Sequence, residues 1–103
     1  MLLENPLCKL LSIRYPIVQA GMAGQTTPEL VAAVSNAGGL GILGATRMTP
    51  EKLLDAVRKI KMITTKPYGV NLWLGPQERK RIKIYPRYSN FWIRNFANHL
   101  VFR

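Results

Sequence analysis

Short apolar runs alternate with longer amphipathic stretches along the first three quarters of this chain, and the hydrophobic period switches between them. Residues 17–20, IVQA, form a β-prone run entered through Pro16. Proline fixes the entry conformation and cannot donate to a ladder, so it suits the start of a strand. AGMAGQTT follows as a loop, in which Gly21 and Gly24 offer positive φ or close access to the backbone. Thr27-Pro28-Glu29 is a helix start: a capping hydroxyl, a proline for the first helical position, and a carboxylate for the positive end of the dipole. Leu30, Ala33, Val34 and Ala37 then fall at i, i+3, i+4 and i+7 and predict one buried stripe. Gly38 suits a left-handed position just past the helix.

The pattern then repeats. Residues 39–43, GLGIL, predict a second strand, and its two glycines mark a place where another element or a ligand packs close. Residues 44–48 form a second loop, and Thr49-Pro50-Glu51 repeats the helix-start chemistry. Leu53, Ala56, Val57 and Ile60 repeat the apolar stripe, with Lys59 and Lys61 near the helix end where cations are favoured. Residues 68–74, YGVNLWL, predict a third strand. The order β-α-β-α-β implies a parallel sheet with right-handed crossovers.

Ligands of such sheets gather at the carboxyl ends of the strands. Residues 21–24, residues 44–46 and Asn71 would meet on that rim. The small residues of Gly21-Met22-Ala23-Gly24 let backbone N–H and C=O groups reach a planar ligand; a tight strand–helix turn would use the same residues. Asn71 is polar within an apolar run. A buried amide without partners costs about 1–3 kcal/mol, so Asn71 either bonds a neighbouring backbone or faces a polar ligand. Gly39, Gly41 and Gly44 spell G-x-G-x-x-G, but on the second strand and its exit. A dinucleotide fingerprint needs that pattern between the first strand and its helix, so a Rossmann site is not indicated. No cluster of Cys and His suggests zinc, and His99, the single histidine, stands away from every rim motif.

Composition adds a boundary. Residues 1–75 carry eight Lys or Arg against four Asp or Glu; residues 76–103 carry seven against Glu78 alone. All eight glycines lie at or before Gly75, and six of the nine aromatics lie after it. The net charge of +10 is therefore concentrated in the last quarter. No apolar run reaches the ~18 residues of a membrane span. Glu4 and Pro6 interrupt the stretch a signal peptide would need, so export is not expected. The one cysteine, Cys8, cannot form an internal disulfide, which fits a reducing cytosol.

YPIVQAGMAG, TPELVAAVSNAGGLG and KPYGVNL resemble the opening of the nitronate monooxygenase (2-nitropropane dioxygenase-like) family. The related FMN-dependent enoyl-acyl carrier protein reductases open in much the same way. The resemblance spans about residues 7–75. It implies a cytoplasmic flavoenzyme built on a (β/α)₈ barrel, with FMN as cofactor and no metal. It implies oxidation of small alkyl nitronates by O₂ to carbonyl compounds and nitrite. It places the loop matching Gly21, Met22 and Ala23 against the flavin and assigns FMN binding to the asparagine matching Asn71. The family's catalytic histidine sits in a glycine-rich, AGGH-like segment well downstream. His99 has no such context, so no catalytic residue is assigned.

A full barrel takes about 250 residues. The chain is therefore expected to supply only the first three strands of an incomplete TIM barrel, and to be inactive alone. Residues 76–103 are expected to form a basic, aromatic tail foreign to the family, the product of a frame shift or a truncated gene. A different role for the tail is binding. RKRIK at 79–83, with a helical spacing of Trp92, Ile93, Phe96 and Leu100, would suit nucleic acid or an anionic membrane.

Overall fold

The structure, a computed structural model, describes residues 5–72. The continuation of the third strand through Trp73 and Leu74 lies outside the described residues. So do the tail at 76–103, its RKRIK run, the helix expected from Ser89, and His99.

A short helix opens the chain. α1, Pro6–Leu11, begins where the Asn5 side chain accepts a hydrogen bond from the Leu7 N–H at 2.8 Å, and Pro6 fills the first helical turn. It ends at Ser12, whose φ of 56° is left-handed. The five elements that follow match the predicted order: β1 (Val18–Gln19), α2 (Pro28–Asn36), β2 (Leu40–Gly44), α3 (Pro50–Ile63) and β3 (Tyr68–Asn71). Thr27 and Thr49 cap α2 and α3 through hydrogen bonds from the Leu30 and Lys52 N–H groups. Gly38 takes the expected left-handed conformation, φ 102°, after α2.

The three strands form one parallel sheet in the order β1-β2-β3. Val18 pairs with Leu40 and Gln19 with Gly41; on the other side of β2, residues from Gly41 to Gly44 pair with Tyr68 to Asn71. Side chains on a strand alternate between faces. Leu43, with Ala45 just beyond the strand, packs with Val31, Leu53, Ala56, Val57, Ile60 and Tyr68 beneath α2 and α3. Leu40 belongs to a second cluster with Cys8 and Ile13, against which Ile42 and Leu11 pack, so α1 covers part of the other face. Leu43, Leu53, Ile60 and Val31 are fully buried, each contributing about 1.5–3 kcal/mol by removal from water before entropy is subtracted.

The predicted stripe of α3 is the buried one: Leu53, Ala56, Val57 and Ile60. The stripe of α2 is not. Its buried residues are Val31, Ala32 and Ser35, while Ala33 and Ala37 are exposed, Leu30 is 39% exposed and Val34 half-buried. The cause lies on β2. A Cβ at Gly41 would fall on the Val31 carbonyl, so the bare glycine lets the α2 backbone descend onto the strand with Val31 facing it. Ser35, one turn later, accepts a hydrogen bond from the Gly41 N–H at 3.1 Å. The close approach inferred at residues 39–43 is thus made by a helix. The glycines of the G-x-G-x-x-G pattern, expected on the second strand and its exit, fall one residue earlier relative to it: Gly39 precedes β2, and Gly41 and Gly44 lie on it.

At the amino ends of the strands, α2 and α3 are tied together. The Thr64 hydroxyl donates to the Asn36 Oδ1 at 2.5 Å, and the Asn36 amide reaches the Ile63 carbonyl at 3.4 Å. The opposite end of the sheet is left to the loops.

Candidate functional site

Because β1, β2 and β3 run parallel, their carboxyl ends share one rim, and the residues that follow them meet there. After Gln19 the chain leaves the sheet and turns through residues 20–26. The turn closes on the Met22 carbonyl, which accepts from the Gln25 and Thr26 N–H groups at 3.0 Å each. Gly24 holds a φ of 77°, the conformation the loop's glycines were read to provide.

This turn lies on the end of β2. A Cβ at Gly44 would stand 2.6 Å from the Met22 carbonyl carbon and 2.7 Å from the Ala23 nitrogen. Real Cβ contacts are not that short, so only glycine allows the loop backbone to rest here. On the far side, an ideal Cβ at Gly21 would lie 2.8 Å from the Asn71 Cβ, so the base of the Asn71 side chain packs against the Gly21 backbone. The Asn71 carbonyl accepts from the Ala45 N–H at 2.9 Å, joining the ends of β2 and β3. The structure therefore brings Gly21, Met22, Ala23 and Asn71 together around Gly44, a residue the sequence reading placed on the same rim.

Each group is presented outward. Met22 is 46% exposed, and Ala23 and Asn71 are exposed. The Asn71 carboxamide has no hydrogen-bond partner among the described residues, although Asn71 had been expected to bond a neighbouring backbone or meet a ligand. Of those alternatives, the described residues supply no backbone partner for the side chain. In the loops at residues 20–26 and 44–48 the one charged side chain is the exposed Arg47, while Glu29 and Glu51 stand in the first turns of α2 and α3 that follow these loops. Such a surface can hold a ligand by backbone groups, a carboxamide and a thioether. Among the described residues no group of His, Cys, Asp and Glu is placed to hold a metal, and no helix is long and apolar enough to cross a membrane.

Two rim residues were not singled out from the sequence. Gln19 turns its carboxamide onto β2, accepting from the Ile42 N–H at 3.3 Å and donating to the Ile42 carbonyl at 3.1 Å and to the Ala20 carbonyl. Thr26, 4% exposed, accepts from the Gly44 N–H at 2.7 Å and donates to the Met22 carbonyl at 3.1 Å. Gln19 carried the same signal as Asn71, a polar residue in an apolar run. Nothing in the loop's composition distinguished Thr26 from its neighbours.

A parallel sheet flanked by helices, with its loops gathered at the carboxyl rim, defines the class as an α/β protein. The family model for nitronate monooxygenase matches residues 4–100, and the chain belongs to that family. A probable nitronate monooxygenase of Staphylococcus haemolyticus is 43% identical over 97 residues, 94% of this chain and 27% of that protein. One of Staphylococcus saprophyticus is also 43% identical, over 96 residues. Among solved structures, FabK from Thermotoga maritima superposes with a TM-score of 0.66 at 40% identity, covering 81% of this chain and 27% of that one. Nitroalkane oxidase from Streptomyces ansochromogenes gives 0.63 at 33% identity, with 84% and 25% covered. The chain spans about a quarter of the length of these proteins.

The match reaches residue 100, past Gly75, where the motif resemblance was expected to stop.

Proposed function

We propose that this chain forms the opening wall of an FMN-dependent oxidoreductase, the β-α-β-α-β start of a (β/α)₈ barrel, with its carboxyl rim turned toward the flavin. The observation that carries this reading is the bare backbone at the rim. Residues 21–23 lie across the end of β2, where Gly44 has no Cβ to lift them, and the exposed Asn71 side chain stands beside Gly21. A planar ring can approach such a surface to van der Waals distance, and the carboxamide has both donors and an acceptor to offer its polar edge. FMN would supply the redox chemistry; these residues bind and orient it. The reaction we assign to the whole enzyme is oxidation of alkyl nitronates by O₂, supported by family membership and by the likeness to nitroalkane oxidase. Such an enzyme would work in the cytoplasm.

The likeness to FabK favours a second reading of the same wall, within an enoyl-acyl carrier protein reductase. Both readings put FMN on this rim.

The test is a titration of FMN into the purified chain, followed by saturation-transfer NMR on the flavin protons. Weak binding by the parent, reduced several-fold in Asn71→Ala with the fold intact by circular dichroism, is the expected result. Equal binding by parent and variant, or none by either, would remove Asn71 from the proposed site.

A further inference from the structure

β2 has two hydrogen-bonding edges, and they are completed in different ways. In a parallel strand, alternate residues direct their N–H and C=O groups to the same neighbour. Toward β3, the Ser35 hydroxyl takes the Gly41 N–H at the start, and backbone completes the carboxyl end, where the Ala45 N–H meets the Asn71 carbonyl at 2.9 Å. Toward β1, backbone completes the first part: the Leu40 N–H meets the Ile17 carbonyl at 2.9 Å, and the pairing of Gln19 with Gly41 carries the ladder as far as the Ile42 N–H. β1 then ends at Gln19, while β2 continues to Gly44. The Ile42 C=O and the Gly44 N–H would be left facing an absent strand. Side chains take that strand's place. The Gln19 carboxamide takes both Ile42 groups, and the buried Thr26 hydroxyl takes the Gly44 N–H. Each side chain also holds the departing loop, Gln19 through the Ala20 carbonyl and Thr26 through the Met22 carbonyl.

We propose that Gln19 and Thr26 are positioning residues that stand in for the missing end of β1 and set the height of the 21–24 loop over Gly44. Substitution by side chains lets the main chain leave the sheet two residues early without leaving the β2 edge unpaired. That early departure is what carries Met22 and Ala23, both exposed, across the end of β2. The bearing of this arrangement on FMN rests on the proposed function above; the arrangement itself does not.

Two adjacent amides on opposite edges supply the test. Hydrogen exchange is measured in the 103-residue chain for Gly44, bonded to Thr26, and Ala45, bonded to Asn71. Thr26→Val keeps the shape and removes the hydroxyl; Thr26→Ser keeps the hydroxyl. Losing the partner of a buried N–H should speed Gly44 exchange in Thr26→Val by about tenfold or more, with a much smaller change at Ala45. Thr26→Ser should return Gly44 close to the parent rate. Equal acceleration at both amides would mean general loosening and would overturn the proposal, as would an unchanged Gly44. Gln19→Glu is the second variant: it can accept from the Ile42 N–H but cannot donate to Ile42 or Ala20. It should leave Ile42 protected and shift the Met22 and Ala23 amide resonances; an unmoved loop would overturn the role of Gln19. FMN is then added to each protein. Flavin-induced shifts at Met22 and Ala23 that vanish in Thr26→Val and return in Thr26→Ser support positioning toward the ligand. Shifts that persist in Thr26→Val overturn it. If the parent shows no flavin shifts, the flavin reading fails, and the exchange data still decide the positioning.

Discussion

At the scale of single residues, the rim depends on atoms that are missing as much as on those present. Gly44→Ala places a Cβ 2.6 Å from the Met22 carbonyl carbon, and that neighbour is backbone, which cannot swing aside like the end of a long side chain. The substitution should cost about 1–3 kcal/mol by overpacking and displace the loop. Denaturant unfolding measures the first effect, and loss of flavin-induced shifts at Met22 and Ala23 the second. Tyr68 offers a test by pH. Burial pushes its phenol up to about 12 from an ordinary value of 10, because the phenolate is poorly solvated beneath the sheet. A group whose pKa is raised on folding lends its full stability below the unfolded value and loses it as pH climbs to the folded one. Stability should therefore fall between pH 10 and 12 by about 1–3 kcal/mol, and the fall should be absent in Tyr68→Phe. Gly21, Met22, Ala23 and Asn71 were legible because small residues at a strand exit, or one amide in an apolar run, stand out against their neighbours. Gln19 was legible in principle by the same rule. Thr26 was not, because its importance comes from β2, eighteen residues away in sequence.

At the scale of elements, periodicity identified α3 and misjudged α2. The α3 stripe holds because one face of the helix is apolar and the other charged, so burial has a single solution. α2 is apolar almost all round, and its rotation is fixed by a contact that no periodicity encodes, Val31 lying on the bare Gly41. A pair of neighbouring substitutions distinguishes the two orientations. Ala32→Glu, at a fully buried position, should unfold the chain or cost several kcal/mol, while Ala33→Glu, exposed, should stay within about 0.5 kcal/mol of the parent. Circular dichroism with urea unfolding reads both; the reverse order would support the stripe through Leu30, Ala33 and Ala37. α1 went unread although Asn5 and Pro6 are sound start signals, because six residues are too few to establish a period.

At the scale of the whole molecule, β1 and β3 each border β2 on one side only within the described sheet, and Val18 on β1 and Ile17 just before it are 44% and 62% exposed. Leu10 is 74% exposed and adds to the apolar surface. An open, apolar edge strand recruits other strands. The purified chain should therefore associate as its concentration rises, and Ile17→Lys should reduce this in sedimentation velocity without changing helical content. A rim made of three strand ends covers one side of a flavin, so FMN should exchange rapidly and be lost on desalting. The most direct test of the central claim is an amide-resolved NMR titration of the chain with FMN. The account predicts saturable shifts at Gly21, Met22, Ala23, Gly44 and the Asn71 side chain, with Asn36, Gly38 and Thr64 at the opposite end unmoved. Shifts spread evenly over the chain, gathered at that opposite end, or absent at millimolar FMN would contradict it.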